Sequence, residues 1–310
     1  MIKRIVIGAN AHAVLSKALL LRRPDLEVRG RRYTDVTEDD LRWGEAYLGF
    51  RRPPLASMGN IRWVHCTGAG VDAWLFPEEL PRDILLTQTS ESFGPMIAEW
   101  ALARAFAFSQ QLRALAQDQQ QRIWQHRDVT PLRGTRAVIV GTGDVGSHVG
   151  RLFHALGCAV HGISRSGNGN PEIFSSCSAT ASLPSEAMTA DWLIVTLPLT
   201  VATRGLVGRG VLEACRGAVL MNAGRGAVVD ESLIPEALEK GWLRGAALDV
   251  FDVEPLPQES PLWSDPRVIV SPHISGPTTP VAALEGFLDC LDALERGEQP
   301  PMVVDRDRQY

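Results

Sequence analysis

The sequence has few cysteines and no long hydrophobic run. Its cysteines are scattered, odd in number and never spaced as C-x-x-C, which argues against a disulfide framework or a thiolate metal site and is typical of a reducing compartment. They are Cys66, Cys158, Cys177, Cys215 and Cys290. No stretch reaches the ~18 apolar residues of a membrane span. The apolar run near the N-terminus is too short for a signal peptide. We therefore expect a cytoplasmic protein without a membrane partner or a metal site.

The sequence also lacks a basic stripe. The formal net charge is -5 and charges of both signs are mixed along the chain, so nucleic acid is not an expected partner. Apolar residues make up 45% of the chain and charged residues 22%, the composition of a packed globular protein. A chain of 310 residues is long enough for two domains of ordinary size.

The first third of the chain alternates short apolar runs with helical patterns, which predicts βαβ units and a mostly parallel sheet. The predicted strands are residues 4–8, 46–50, 61–66 and 84–87, with a helix over 14–21. A long helix is predicted over residues 95–117. Its apolar residues recur at steps of three and four, which indicates one buried stripe along the whole length.

The middle of the chain predicts a complete doubly wound nucleotide-binding domain. Its six predicted strands are residues 137–140, 159–163, 192–197, 218–222, 246–250 and 268–270, with helices that include 145–156 and 231–240. A last helix over 280–296 can return to the first domain. The predicted fold is α/β with two doubly wound parallel-sheet domains. In this prediction a Rossmann cofactor domain (residues 98–277) is inserted in a flavodoxin-like substrate domain (residues 1–97 and 278–310).

A glycine-rich turn lies between the first strand and the first helix of the middle region. It reads Gly141-Thr142-Gly143-Asp144-Val145-Gly146, which is G-x-G-x-x-G in its strand–turn–helix context. Gly141 permits the tight turn, Gly143 allows the backbone to approach a pyrophosphate, and Gly146 allows close packing of helix and strand. The helix N-terminus offers N–H groups to phosphate. We predict a dinucleotide site here, with an ordinary glycine-rich turn as the alternative.

The end of the second predicted strand indicates which cofactor is preferred. NAD sites usually carry an acid about 20 residues after the glycines, where it binds the ribose 2′-hydroxyl. Here the sequence reads Ser164-Arg165-Ser166. Arginine and hydroxyl groups can bind a 2′-phosphate, which a carboxylate would repel. We predict that NADPH is preferred, with NADH possible. The alternative is that Arg165 only points into solvent.

Arg225, Glu254 and His273 each follow the end of one of the last three predicted strands. Ligands of open α/β sheets bind outside these strand ends, so the three side chains can converge. Arg225 can bind a substrate carboxylate with its planar donors. His273 can donate a proton to a carbonyl oxygen, and Glu254 can orient the imidazole and favour its protonated form. Taken singly, each residue is better explained without a catalytic role: His273 as a loop histidine, Arg225 as a surface cation and Glu254 as a solvated charge.

The order and spacing of these motifs resemble the D-isomer-specific 2-hydroxyacid dehydrogenases over nearly the whole chain. The similarity is closest to the glyoxylate/hydroxypyruvate reductase A branch, on Gly68-Ala69-Gly70-Val71-Asp72, Glu259-Ser260-Pro261-Leu262-Trp263 and Val304-Asp305-Arg306. The resemblance implies an NAD(P)-dependent enzyme that reduces small 2-keto acids to D-2-hydroxy acids. It also implies that Arg225, Glu254 and His273 form the catalytic set.

The resemblance implies further contacts. Backbone N–H groups of Ala69 and Gly70 would bind the substrate carboxylate, although an ordinary turn is an equal alternative. Asp249 would meet the nicotinamide carboxamide. The other residues expected to line the cofactor are Leu197, Pro198, Asn222, Ala223, Ser275 and Gly276. A homodimer is implied as well, and Trp124 would lie on an arm that reaches the partner subunit's active site, with an exposed hydrophobic anchor or a core residue as equal alternatives.

Other functions remain open at this point. Another dehydrogenase of the same family, for a phosphorylated substrate, formate or phosphite, is one alternative. A phosphorylated substrate would need cations such as Arg51 and Arg52. A nicotinamide-sensing scaffold without catalysis is another alternative. A short-chain dehydrogenase is disfavoured, because none of the three tyrosines stands in Y-x-x-x-K.

Overall fold

The computed structural model describes residues 2–76, 78–89 and 93–310. The chain forms two compact units. The discontinuous unit comprises Met1–Glu91 and Thr278–Tyr310, and the inserted unit comprises Ser92–Pro277. Each unit is built on a parallel sheet, so the predicted fold class is confirmed.

The strands and helices of the described residues are numbered in chain order. The strands are β1 Arg4–Gly8, β2 Glu27–Arg31, β3 Ala46–Leu48, β4 Trp63–Cys66, β5 Leu85–Gln88, β6 Arg136–Val140, β7 Ala159–Ser164, β8 Ser176–Ala179, β9 Trp192–Val195, β10 Ala218–Asn222, β11 Leu243–Leu248 and β12 Val268–Val270. The helices are α1 His12–Arg22, α2 Glu38–Trp43, α3 Asp72–Leu75, α4 Gly94–Ser109, α5 Leu112–Gln121, α6 Asp144–Ala155, α7 Leu183–Ala187, α8 Arg209–Leu212, α9 Ile234–Glu239 and α10 Pro280–Glu295.

The discontinuous unit has a parallel sheet with the strand order β2-β1-β3-β4-β5, the flavodoxin-like order. One face packs against α1 and α10, where Phe287 stacks on Trp63 with ring centroids 4.7 Å apart. The other face buries Tyr47 and Trp74. Strand β2 was not predicted, because its sequence Glu-Val-Arg-Gly-Arg is polar. An edge strand can be polar, since a parallel neighbour pairs with it on one side only.

The inserted unit has a parallel sheet with the order β12-β11-β10-β9-β6-β7-β8. Its central strands are buried on both faces, which explains their continuous apolar runs. The prediction missed β8, an edge strand of small polar residues. Strand order reverses between β6 and β9, and this switch point forms the crevice in which nucleotides bind to such sheets.

The predicted helix over residues 95–117 is two helices. Helix α4 ends at Ser109, and Gln111 has a left-handed backbone with φ of 52° before α5 begins. The predicted buried stripe also fails in its last part, where Leu112 and Leu115 are 49% and 40% exposed. The expected domain boundary after residue 97 falls inside α4, whereas the whole of α4 belongs to the inserted unit. A helix packs through one continuous face, so a boundary within it is unfavourable.

Within the described ranges, no helix has the length and apolar character needed to cross a lipid bilayer.

Candidate active site

The carboxyl ends of three neighbouring strands carry the predicted catalytic residues. Strands β10, β11 and β12 pair in parallel and in this order, so their following loops leave the same edge of the sheet. Arg225, Glu254 and His273 lie on these three loops. The structure therefore brings together residues that are up to 48 positions apart in the sequence (273 minus 225).

His273 and Glu254 form the closest pair of the site. The Nδ1 atom of His273 lies 2.9 Å from Oε2 of Glu254, and the imidazole is 36% exposed. Because the carboxylate accepts from Nδ1, the opposite nitrogen, Nε2, is the one that can meet a substrate. This pairing is the arrangement of a general acid that is held in orientation by a carboxylate.

Two opposing effects act on the pKa of Glu254. Burial raises it, but the hydrogen bond and positive charge of His273, the backbone N–H of Phe251 and the charge of Arg225 lower it more. The net pKa lies below the ordinary value for glutamate. The Glu254 carboxylate is therefore ionised in the neutral range, and it accepts the hydrogen bond from the imidazole of His273.

Arg225 is presented by a turn that Asn222 shapes. The side-chain amide of Asn222 donates to the carbonyl of Arg225 over 3.1 Å, and its Oδ1 accepts from the N–H of Gly224 over 3.1 Å. Asn222 is only 1% exposed, so in this structure it organises the loop. Nη1 of Arg225 donates to the carbonyl of Gly224 over 2.8 Å, and the guanidinium is near enough to Glu254 to lower its pKa.

Gly226 and Glu231 support the loop that carries Glu254, and the sequence reading assigned neither of them a role. A Cβ atom on Gly226 would lie 1.9 Å from the carbonyl carbon of Phe251, so only glycine fits. The Glu231 carboxylate accepts from the N–H of Asp252 over 3.2 Å. The position of Gly226 in the sequence, directly after the predicted catalytic residue Arg225, is the signal that could have indicated its supporting role.

Asp249 is completely buried, and its carboxylate faces the loop after β12. It accepts from the hydroxyl of Ser271 and from the backbone N–H groups of Ile274 and Ser275. Ser275 is itself buried, and a Cβ atom on Gly276, the next residue, would lie 3.1 Å from the side chain of Ile97 in α4. The carboxylate is therefore engaged by the residues that flank His273.

The glycine-rich turn has the geometry of a phosphate site. Gly141 has a left-handed φ of 115°, and a Cβ atom on Gly146 would lie 1.8 Å from the carbonyl oxygen of Gly141. Gly143 caps α6 without a side-chain hydrogen bond, and among the described residues no atom outside its chain neighbours and its own helix lies within 4 Å of where its Cβ would be. Asp144 turns its carboxylate to His148, 3.3 Å away, while Val145 packs on the core. Open space over an uncapped helix N-terminus fits the pyrophosphate of a dinucleotide.

The residues expected to determine the preference between NADPH and NADH lie at the end of β7. The Ser164 hydroxyl donates to the carbonyl of Asn168 over 2.8 Å and accepts its N–H over 3.0 Å. Arg165 and Ser166 are exposed. In the part of the chain that the structure describes, Arg165 makes no hydrogen bond or ion pair to another residue. Its guanidinium is therefore available to an anion.

The other residues predicted to contact the cofactor lie in the inserted unit, and those predicted to contact the substrate lie in the discontinuous unit. Leu197 and Pro198 follow β9 and are half-buried, and Ala223 is 8% exposed beside them in the inserted unit. Ala69 and Gly70 follow β4 in the discontinuous unit, where Ala69 is exposed and Gly70 is buried. Their contact with a substrate stays a prediction.

The cations proposed for a phosphorylated substrate have other contacts. Arg51 lies over the ring of Tyr33, 5.8 Å from its centroid, and Arg52 donates to the backbone carbonyl of Glu78. These contacts favour the simpler interpretation of Arg51 and Arg52 as surface residues.

The sequence profile of the D-isomer specific 2-hydroxyacid dehydrogenase NAD-binding domain matches residues 102–275, more than half of the chain. The chain belongs to this family. The glyoxylate/hydroxypyruvate reductase A of Serratia proteamaculans (strain 568) is 34% identical over 267 residues, which cover 82% of this chain and 84% of the relative. The predicted family is therefore confirmed, and with it an NAD(P)-dependent dehydrogenase.

Solved structures of the family agree with the fold over its whole length. A D-isomer specific 2-hydroxyacid dehydrogenase from Xanthobacter autotrophicus Py2, in complex with NADPH and MES, is 30% identical with a TM-score of 0.88 and full coverage of both chains. The NADPH-dependent glyoxylate/hydroxypyruvate reductase of Sinorhizobium meliloti, in complex with NADP and sulfate, is 27% identical with a TM-score of 0.86, covering 99% of this chain and 100% of that one.

Proposed function

We propose that this dehydrogenase reduces small 2-keto acids, such as glyoxylate and hydroxypyruvate, to D-2-hydroxy acids with NADPH as the preferred cofactor. The observation that carries the proposal is the 2.9 Å pair of His273 and Glu254, on loops that leave the same sheet edge as the loop of Arg225. A keto acid has a carboxylate, which an arginine can bind, and a carbonyl oxygen, which must gain a proton.

The side chains have distinct roles in this reaction. Arg225 binds the carboxylate of the keto acid and polarises its carbonyl group. His273 donates the proton from Nε2 to the carbonyl oxygen, while Glu254 accepts from Nδ1 and keeps the ring in one orientation. A bound nicotinamide cofactor supplies the hydride that reduces the carbonyl carbon. The residues that would hold this cofactor are the turn from Gly141 to Gly146 and the end of β7.

The preference for NADPH follows from Arg165. Its exposed guanidinium is available to the 2′-phosphate, and Ser164 stands where an NAD site usually carries an acid. A charge-assisted hydrogen bond of ~1.5–3 kcal/mol corresponds to about ten- to a hundredfold discrimination. The NADPH complex of the Xanthobacter relative supports this assignment.

The test of cofactor preference compares kcat/KM for NADPH and NADH in the wild type, in Arg165→Ala and in Arg151→Ala. Arg151 is an exposed arginine on α6 of the same unit, so it serves as a matched control. We expect Arg165→Ala to lose most of the NADPH preference and Arg151→Ala to keep it. Equal use of both cofactors by the wild type would refute the proposal.

We also propose a cytoplasmic homodimer in which the segment after α5 contacts the partner subunit. Trp124 is fully exposed there, and Ile123 and Val129 are about half exposed. The segment is nevertheless held to α5, because Arg127 forms a two-bond ion pair with Asp118. Sedimentation of the wild type and of Trp124→Ala tests this assignment. A monomeric wild type, or an unchanged dimer affinity in the variant, would contradict it.

The overall proposal is tested by a matrix of 2-keto acids against NADH and NADPH, followed by the loss of reduced-cofactor absorbance. The matrix includes glyoxylate, hydroxypyruvate, pyruvate and a phosphorylated hydroxypyruvate. We expect turnover of the small unphosphorylated acids with NADPH. Tight cofactor binding without turnover of any acid would instead indicate a sensing role.

A further inference from the structure

One backbone carbonyl connects the two turns that would hold NADPH. The glycine-rich turn between β6 and α6 would bind the pyrophosphate, and residues 164–168, the arginine turn, present Arg165 to the 2′-phosphate. Asn168 ends the arginine turn, and its carbonyl accepts from the hydroxyl of Thr142, in the glycine-rich turn, over 2.8 Å. The sequence pattern assigns no role to Thr142, which occupies an x position of G-x-G-x-x-G. In the folded chain it links the two turns.

The arginine turn is also closed by hydrogen bonds of its own. The N–H of Gly167 donates to the carbonyl of Ser164 over 3.3 Å, and Arg165 lies exposed between them. The Ser164 hydroxyl donates to the Asn168 carbonyl over 2.8 Å and accepts from the Asn168 N–H over 3.0 Å. A carbonyl oxygen has two lone pairs. The hydroxyls of Ser164 and Thr142 therefore use the full acceptor capacity of the Asn168 carbonyl.

The methyl group of Thr142 packs beside the same segment. A Cβ atom on Gly162, in β7, would lie 2.7 Å from this methyl carbon, and one on Gly169, after the arginine turn, would lie 3.3 Å from it. Glycine at these two positions leaves room for the methyl group. A β-branched side chain has a stiff χ1 angle, so the packed methyl group also fixes the direction of the hydroxyl.

The link between the turns matters because both turns must bind one molecule. The pyrophosphate and the 2′-phosphate of NADPH are covalently connected, so the arginine turn must keep its place relative to the glycine-rich turn. The apparent dissociation constant of a ligand rises as the fraction of protein in the binding conformation falls. A contact that holds the arginine turn in place therefore strengthens the binding of NADPH. It should not affect NADH, which lacks the 2′-phosphate.

We propose that Thr142 is a positioning residue for cofactor selection, whose hydroxyl fixes the arginine turn so that Arg165 meets the 2′-phosphate of NADPH. This inference rests on the proposed preference for NADPH. It extends that preference from the arginine itself to the glycine-rich turn, where a single hydroxyl would decide how well the guanidinium is presented.

The primary test is Thr142→Val. Valine keeps the branched shape and the methyl group but lacks the hydroxyl. We expect the dissociation constant of NADPH, measured by fluorescence without a keto acid, to rise by about two- to tenfold, the effect of one lost hydrogen bond. The dissociation constant of NADH should stay unchanged, and Thr142→Ser, which keeps the hydroxyl, should retain the wild-type preference. An equal rise for both cofactors, or no rise for NADPH, would overturn the inference.

Thr189→Val is the matched control for the loss of a threonine hydroxyl. The exposed Thr189 follows α7 in the same unit, and its hydroxyl donates to the backbone carbonyl of Glu186 over 3.2 Å. We expect Thr189→Val to bind both cofactors as the wild type does. A rise in the NADPH dissociation constant as large as that of Thr142→Val would show a general effect and would contradict the positioning role.

A double-mutant cycle shows whether Thr142 acts through Arg165. In Arg165→Ala the guanidinium is absent, so the addition of Thr142→Val should cause no further loss of NADPH binding. If Thr142→Val weakens NADPH by the same factor with and without Arg165, the hydroxyl acts on the cofactor by another route and the inference is wrong.

The inference and the proposed preference fail in different ways. A wild type that binds NADH as tightly as NADPH refutes the preference. Hydrogen exchange of the cofactor-free protein tests the inference separately. The N–H groups of Gly167 and Asn168 should exchange about two- to tenfold faster in Thr142→Val, and at the wild-type rate in Thr189→Val. Unchanged exchange in Thr142→Val would refute the inference, whichever cofactor the wild type prefers.

Discussion

Replacement of Gly226 by alanine should inactivate the enzyme through the loop of Glu254. The new Cβ atom would lie 1.9 Å from the carbonyl carbon of Phe251 and 2.3 Å from the nitrogen of Asp252. Ordinary contact begins at 3.4 Å, so one of the two backbones must move by about 1.5 Å (3.4 minus 1.9). No flexible side chain can yield here, because the opposing atoms are backbone atoms.

The size of this shift determines the expected effect. Glu254 lies two residues after Asp252, and its contact with His273 is 2.9 Å long. A displacement of 1.5 Å breaks a hydrogen bond of that length. A misplacement of about 1 Å in a catalytic group costs on the order of 10²-fold in rate, so we expect Gly226→Ala to lose at least this factor in kcat.

The assay is the steady-state reduction of the best keto acid with NADPH, together with thermal unfolding. Gly210→Ala is the control, because Gly210 lies in helix α8 of the same unit and a Cβ atom there would contact no other part of the described chain within 4 Å. We expect Gly210→Ala to keep full activity and to gain about 0.5–1 kcal/mol in stability. Wild-type kcat in Gly226→Ala would refute the reasoning that links this glycine to Glu254.

Three further predictions concern charge and protonation. His273→Ala should lower kcat by about 10²–10⁴-fold through the loss of proton donation, with NADPH binding unchanged, and an active variant would remove His273 from the mechanism. Glu254→Gln keeps the size of the side chain but replaces the carboxylate that accepts from Nδ1 of His273, so kcat should fall while the dissociation constant of NADPH stays unchanged; an unchanged kcat would show that the carboxylate does not support the imidazole. Burial lowers the pKa of His65 to about 3, whereas the unfolded chain takes up this proton near pH ~6.5. The unfolded state therefore binds more protons in this window, and as the pH falls from ~6.5 toward 3 the free energy of unfolding should decrease by up to about 1.4 kcal/mol per pH unit. In His65→Gln, urea unfolding should show a flatter dependence on pH, and an unchanged slope would assign the acid sensitivity to other groups.

The central sheet and the three predicted catalytic positions were accessible from the sequence for one physical reason. Strands that are buried on both faces need continuous apolar runs, and polar residues directly after such runs must lie at one edge of a parallel sheet. Arg225, Glu254 and His273 satisfy this rule, and the structure brings their loops together.

The elements that the prediction missed have no such signal. Strands β2 and β8 are edge strands with polar sequences, because only one side of each is paired within its sheet. The break between α4 and α5 occurs at Gln110 and Gln111, without a glycine or proline to mark it. Gln111 has a left-handed backbone there, and Leu112, the next residue, is 49% exposed.

The details of the site depend on contacts between distant residues. The family resemblance implied that Asp249 contacts the cofactor, which stays a prediction, and its hydrogen bonds to residues 22 to 26 positions later become visible only in the folded loop. The obligatory fit of Gly226 against Phe251 is likewise a property of two loops from neighbouring strands. Pattern and spacing identify which residues lie at the sheet edge, and packing decides how they are held.

The most direct test of the proposed function is the oxidation of NADPH by the wild type and by His273→Ala, with and without glyoxylate or hydroxypyruvate. We predict that the wild type oxidises NADPH only when the keto acid is present, that the product is the 2-hydroxy acid, and that the variant binds NADPH but turns over at least about 10²-fold more slowly. NADPH oxidation that is independent of the keto acid, or equal in both proteins, would contradict the account.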